Sequence, residues 1–158
     1  MERKQNMDAD KFQESLEDLL KKIGAETAYI DGEEGQLGRT LRALLPIDDR
    51  GNKVLTEIIL MPYTEETDLL GIYTTMVLEI GLGYEALKDM ILDWNLTCKI
   101  GAFGIYRQGL QLYHKYTYPV PMEVPPDEMA LEVFYLINLI QDAIAEHYED
   151  ALHLSGYQ

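Results

Sequence analysis

The sequence predicts an α+β domain in which three amphipathic helices cover one antiparallel sheet of about five to six strands. Apolar residues recur at three- and four-residue spacing near both ends of the chain, and at alternate positions between them. Short turn-rich segments separate the alternating stretches, which favours strands joined as hairpins. The length of 158 residues suits a single core. We expect one domain over residues 7–156, after a disordered N-terminus at residues 1–6.

The first helix is predicted over residues 8–23, where Phe12, Leu16 and Leu20 fall on one face. Alternating apolar residues then predict strands over 25–31, 53–63 and 69–80. In the last of these, the even-numbered positions from Leu70 through Leu78 to Ile80 share one face. Segment 37–47 is open between strand and helix, because its leucines suit either structure.

The second half is predicted to contain a helix, a hairpin and a long final helix. Its elements are a helix over 84–95 that buries Leu87, Ile91 and Trp94, strands over 98–106 and 110–118, and a helix over 126–154. Four prolines from Pro119 to Pro126 form a connector that we expect cannot continue a central strand. The final helix would be ~42 Å long against ~30 Å for a nine-residue strand. It should therefore overhang the sheet, bend, or contact a second subunit.

The net charge of −15, from 28 acidic and 13 basic residues, limits the classes of partner. Phosphate backbones and anionic membrane surfaces would be repelled, whereas a basic protein segment would be attracted. The alternative is that the charge serves solubility alone. The chain has no apolar run of membrane-spanning length, and Cys98 is its only cysteine. We expect no signal peptide, because residues 1–8 contain no apolar segment. We therefore expect a cytoplasmic protein.

No motif predicts a reaction. Gly81-Leu-Gly83-Tyr-Glu-Ala86 fits the dinucleotide fingerprint, but the segment ~20 residues on, 99–106, offers no carboxylate for a ribose. His147 and His153 are six residues apart, unlike a helical zinc pair, and Cys98 reads as a small hydrophobic residue. We expect no catalytic residues, no cofactor and no metal.

An interface is predicted on one sheet face, because the chain has 11 tyrosines and several project from predicted strands. Tyrosine buries a large area and keeps a polar tip, which suits protein contacts. The alternative is that these rings cover a face packed by helices or simply wetted by solvent. The candidate partner-binding residues are Met61, Tyr63, Tyr73, Thr75, Tyr113 and Lys115.

Several short motifs suggest a family. They are Trp94-Asn95, Lys99-Ile-Gly-Ala-Phe103, Gly109-Leu-Gln-Leu112 and Tyr118-Pro-Val-Pro121, followed by the acidic start of the last helix. In this order the chain resembles the YbjN-like family of bacterial proteins, grouped as sensory-transduction regulators, whose fold is akin to the type III secretion chaperones. The resemblance implies a non-enzymatic domain, often dimeric, without a cofactor.

Three functions are therefore open. The first is a protein-interaction or regulatory module of the bacterial cytosol that forms a homodimer. The second is a chaperone that binds an extended segment of a client protein, as the secretion chaperones do. The third is an enzyme or small-ligand binder, which a deep pocket lined by polar groups would favour.

Overall fold

A computed structural model describes residues 8–121 and 123–156, and in that part of the chain it confirms the α+β class. The predicted disordered segment at residues 1–6 lies outside the described residues. Three helices and a six-stranded antiparallel sheet are present among them. The helices are α1 (Ala9–Lys22), α2 (Tyr84–Thr97) and α3 (Pro126–Leu154), and the strands are β1 (Glu26–Ile30), β2 (Thr40–Pro46), β3 (Lys53–Pro62), β4 (Asp68–Val77), β5 (Ala102–Tyr106) and β6 (Gln111–Val120).

The strand order is β1-β2-β3-β4-β6-β5. Strands β1 to β4 follow one another as a meander of adjacent antiparallel pairs. Helix α2 then connects β4 to β5, which is the edge strand on that side of the sheet. Strand β6 follows and lies between β4 and β5. The two edges of the sheet are therefore the five-residue strands β1 and β5.

The core lies between one sheet face, called the inner face, and the layer formed by the helices. Helices α1 and α3 pack against each other over this face, while α2 packs beside α3 and β5. Leu16 of α1, Ile137 of α3 and Ile72 of β4 are all fully buried. The apolar stripes of the two long helices therefore meet the alternating apolar positions of the strands, as the two periodicities require.

Helix α1 begins and ends at the predicted signals. The Asp8 side chain accepts a hydrogen bond from Lys11 N at 3.1 Å, which satisfies one of the free amides of the first turn. At the other end, Gly24 has φ +89° and its amide donates to Lys21 O at 3.1 Å. Glycine adopts this left-handed conformation without strain, so the chain can leave the helix and enter β1.

Segment 37–47, open between strand and helix, contains β2. Leu41, Ala43 and Leu45 are buried at alternate positions of this strand, while Leu44 points to the other face and is exposed. A run of leucines on both sides of a strand resembles a helical stripe, which explains the ambiguity of the sequence.

The ends of β4 and β6 were predicted wrongly. Strand β4 ends at Val77 and not at Ile80, because the register with β6 shifts between Thr75 and Val77. This bulge turns Leu78 outward, where it is 69% exposed. The strand predicted over 110–118 was expected to end before Pro119, which was also wrong, since β6 runs through Pro119 to Val120. Proline is tolerated there because β5 pairs only with residues 111–115, so β6 has an open side beyond them.

Helix α3 has the predicted bounds, and α2 extends two residues beyond its predicted end. Leu87 and Trp94 are buried as predicted, whereas Ile91 is half-buried. The next strand does not begin at Cys98, because residues 98–101 form a turn before β5. Among the described helices, none is long and apolar enough to cross a membrane.

Candidate protein interface

The sheet face turned away from the helices is the candidate interface and is called the outer face. Its central side chains form rows across the strands: Leu55, Thr75 and Tyr113 are paired in one row. Most of its side chains are half-buried or exposed, because the described helices pack on the opposite face. The side chains of the outer face are Glu26, Ala28, Ile30, Thr40, Arg42, Leu44, Pro46, Lys53, Leu55, Glu57, Ile59, Met61, Leu69, Gly71, Tyr73, Thr75, Ala102, Gly104, Tyr106, Gln111, Tyr113, Lys115, Thr117 and Pro119.

Five of the six predicted partner-binding residues lie together on this face. Tyr73 pairs with Lys115, and Thr75 pairs with Tyr113 in the adjoining row. Met61 lies on the neighbouring strand β3, opposite Leu69. The sixth residue, Tyr63, follows the end of β3 and is 69% exposed, outside the outer face.

Two tyrosine rings on the outer face lie over glycines. A Cβ atom added to Gly71 would stand 2.7 Å from Cε2 of Tyr73 and 3.4 Å from Cε of Met61. A Cβ added to Gly104 would stand 2.6 Å from Cζ of Tyr113. The rings therefore fold down onto the strands in the space that a side chain would occupy. Gly71 and Gly104 therefore leave room for the rings close to the strands.

The outer face differs in charge from the rest of the protein. Its three cations and two carboxylates include the ion pairs Arg42–Glu57 at 3.1 Å and Lys53–Glu26 at 2.7 Å. The fifth charge, on the Lys115 ammonium group, lies 5.4 Å from the centroid of the Tyr73 ring. The face thus carries a net charge of +1, from 3 − 2, and the other residues carry −15 − 1 = −16. The acidic surface lies elsewhere, on the helices and loops.

The β5 edge of the sheet is closed at its centre by a side chain. The amide group of Asn95 accepts a hydrogen bond from Phe103 N at 2.7 Å and donates one to Phe103 O at 3.0 Å. These are the two groups that an added strand would use at this position, and Asn95 occupies both. Asn95 lies at the end of α2, eight residues before its partner, so strand periodicity gave no signal for this contact.

A group of rings and sulfur lies under α3, at the meeting of β5 and β6. His114 is fully buried, and its Nε2 lies 2.8 Å from Ile100 O, so Nε2 carries the hydrogen. Cys98 Sγ is 4.0 Å from the same nitrogen and 3.1 Å from Ile100 O. Burial lowers the pKa of His114, against a raising effect of the Ile100 carbonyl. Because Nε2 donates to Ile100, it has no free lone pair to take a proton from Cys98, and this contact does not form a catalytic pair.

The other residues weighed for chemistry have packing contacts. Gly83 follows β4 and precedes α2, and a Cβ added there would overlap Leu154 O, so the glycine lets the end of α3 approach. His147 stacks on Trp94 with ring centroids 4.7 Å apart and planes at 14°. No group of three His, Cys, Asp or Glu residues in the described ranges is arranged to hold a metal ion.

Comparison with known proteins gives no relative: no protein-family model matches the chain, and no curated protein matches it. The resemblance to the YbjN-like family therefore stays a prediction. The inference about function rests on the outer face and on the charge distribution.

Proposed function

We propose that the protein is a non-enzymatic protein-interaction module that forms a homodimer through its outer face. The observation that carries the proposal is the open outer face, where half-buried apolar and tyrosine side chains surround the Arg42–Glu57 ion pair and the charge is nearly balanced. In this proposal two sheets pack face to face, as in a β-sandwich, and a two-fold axis relates the copies. The dimer would act in the bacterial cytosol as a regulatory or adaptor unit.

The size of the outer face supports a stable dimer. Strands spaced ~4.8 Å apart, with lengths of five to ten residues, give a sheet face of roughly 750 Å². A standard-size interface buries about 800 Å² on each partner. The face is therefore large enough for a second copy without contributions from the helices.

The side chains at the centre of the face also support self-association. Leu55 and Ile59 of β3 are half-buried and lie on either side of Glu57, which is opposite Tyr73 and forms an ion pair with Arg42. The charged side chains Glu26 and Lys53 lie toward the β1 side. Specific interfaces have an apolar and aromatic centre with a polar rim. The net charge of +1 lets two copies meet here although each chain carries −15.

The experiment compares two glutamate substitutions by light scattering. Leu55→Glu adds a carboxylate at the centre of the outer face, and Leu92→Glu makes the same chemical change on exposed α2. We expect the wild type and Leu92→Glu to have a mass of about 36 kDa, twice 18.1 kDa, and Leu55→Glu to have the mass of one chain. If Leu55→Glu loses its circular-dichroism spectrum, Thr75→Glu in the same row replaces it. A folded outer-face variant that keeps the mass of two copies would refute the proposal.

The chaperone alternative meets a specific obstacle. An extended client segment that adds a strand to the sheet needs a free edge. Asn95 already holds the central backbone groups of β5, so a client would have to pair with β1, which is only five residues long, or with the short open side of β6 beyond residue 115, which contains Pro119. If a client segment binds Asn95→Ala more tightly than it binds the wild type, its site is the β5 edge.

A further inference from the structure

A second surface lies on the opposite side of the molecule, along α3. Leu131, Tyr135 and Leu139 are 44%, 60% and 55% exposed. They follow one another at four-residue steps, so they form a single stripe on the helix, which is called the α3 stripe. Each step of four residues turns about 40° around the axis, so the stripe winds along the helix instead of running straight.

The α3 stripe leads into a groove of about 510 Å³ between α3 and the strands β5 and β6. Leu139 and Ala143 form the helix side of this groove, and Ile100, Phe103 and Tyr116 lie across from them. Farther along β6, the Tyr118 hydroxyl donates to Glu132 Oε1 at 2.6 Å, which fixes this strand beside the first half of α3. The stripe and the groove therefore form one continuous apolar surface.

The dimensions of the surface follow from the unequal lengths of α2 and α3. Helix α2 runs along the last part of α3: Gly83 approaches Leu154, and Trp94 stacks on His147. With ~1.5 Å per residue, the 14 residues of α2 cover ~21 Å and the 29 residues of α3 cover ~43 Å. About 22 Å of the α3 flank, some four turns, is thus left without a helical neighbour among the described residues.

The charge around the surface determines which partner fits. Helix α3 has seven carboxylates and no lysine or arginine in its 29 residues. Glu128, Glu132, Asp142 and Glu146 flank the stripe and the groove, and Lys99 is the lysine of the groove lining. A second copy would bring its own acidic α3 against this one, and an anionic lipid surface would also be repelled. A cationic partner would be attracted.

We propose that the α3 stripe and groove bind a basic amphipathic helix of about four turns from a partner protein. Its apolar side chains, at three- and four-residue spacing, pack on Tyr135, Leu139 and Tyr116, and its Lys or Arg side chains face the surrounding carboxylates. The bound helix continues the line of α2 beside α3. This inference rests on the proposed function as an interaction module, but it does not require the homodimer, because the outer face and the α3 surface are on opposite sides of the sheet.

The test uses a fluorescent peptide of about 14 residues, ~21 Å as a helix, made of leucine and lysine with leucines at helical spacing. Fluorescence anisotropy measures its binding to the full chain, beside a peptide with glutamate in place of lysine and a lysine peptide with shuffled leucines. We expect the patterned lysine peptide to bind at least tenfold more tightly than either control. We also expect its affinity to fall as salt is raised.

Variants locate the peptide. Tyr135→Ala and Leu139→Ala should each weaken binding roughly tenfold, as expected for central anchors. Leu82→Ala, on the exposed turn at the other end of α2, should not change it. If Leu139→Ala lowers the thermal midpoint, exposed Tyr135→Ala carries the conclusion alone.

Three peptide-binding results would each overturn the inference: no binding, equal binding of the glutamate peptide, or binding that Tyr135→Ala leaves unchanged. A lower mass in solution for Tyr135→Ala than for the wild type, both without peptide, would also overturn it. The α3 flank would then be covered by a second copy in the wild type. Failure of the homodimer appears separately, as a one-chain mass for the wild type. Peptide binding by such a monomer would still support the α3 surface.

Discussion

Replacing Asn95 by alanine tests how the β5 edge is closed. The change removes the hydrogen bonds of 2.7 Å and 3.0 Å to Phe103 N and O, and leaves both backbone groups facing the open edge. Two such bonds contribute about 1–3 kcal/mol, while alanine near the end of a helix recovers up to ~0.7 kcal/mol relative to asparagine. We therefore expect a net loss of about 1–2 kcal/mol. For a domain of this size the thermal midpoint should fall by about 2–8 °C.

Two further variants separate the hydrogen bonds from the shape of the side chain. Asn95→Asp keeps the size and still accepts from Phe103 N, but it sets a carboxylate oxygen against Phe103 O, so its loss of stability should not be smaller than that of Asn95→Ala. Asp93→Ala, on the exposed side of α2, controls for the helical preference of alanine. Unfolding in urea or by heat measures all three. If Asn95→Ala is as stable as Asp93→Ala, or if Asn95→Asp matches the wild type, the edge is not held in this way.

Two other predictions concern the core. Thr56 and Thr74 are fully buried, and their Oγ1 atoms are 2.9 Å apart. Thr56→Val alone should lower the free energy of unfolding by about 1–3 kcal/mol, because it leaves the Thr74 hydroxyl without its partner. In urea unfolding the double variant with Thr74→Val should be closer to the wild type, and a double variant that shows the sum of both losses would contradict the pairing. Burial lowers the pKa of His114 below its usual 6.5 in the folded state, so only the unfolded state gains a proton as the pH falls through 6.5. The free energy of unfolding should therefore fall as the pH is lowered below 6.5. In thermal unfolding between pH 7 and pH 5, His114→Gln should lose less stability than the wild type. Equal losses in the two proteins would show that His114 is not responsible.

Most of the fold followed from the sequence, because the long apolar stripes have only one compatible periodicity. The bounds of α3 were predicted from Pro126 and the turn at Ser155-Gly156, and the alternation of β4 was clear as far as Met76. The end of β4 was not, because a bulge depends on the register with β6 and leaves no mark in the alternation. The end of β6 was predicted wrongly at Pro119, because the unpaired side of β6 that tolerates this proline lies beyond the end of the shorter strand β5 and depends on their pairing.

The candidate interface was predicted only in outline. Alternation placed Tyr73 and Thr75 on one face, but the seating of Tyr113 over Gly104 depends on the pairing of β5 with β6. The balanced charge of the outer face also needs the register, because its cations come from three different strands. The α3 stripe was not predicted, although its apolar residues at four-residue steps and the absence of Lys and Arg in α3 are present in the sequence.

The central claim is that a second copy of the chain covers the outer face. Sedimentation equilibrium of the purified wild-type chain, over a wide range of concentrations and at moderate salt, tests it most directly. We predict that the data fit a species of two chains, about 36 kDa from 2 × 18.1 kDa, which dissociates only on dilution. A single species of 18.1 kDa at every concentration would contradict the account.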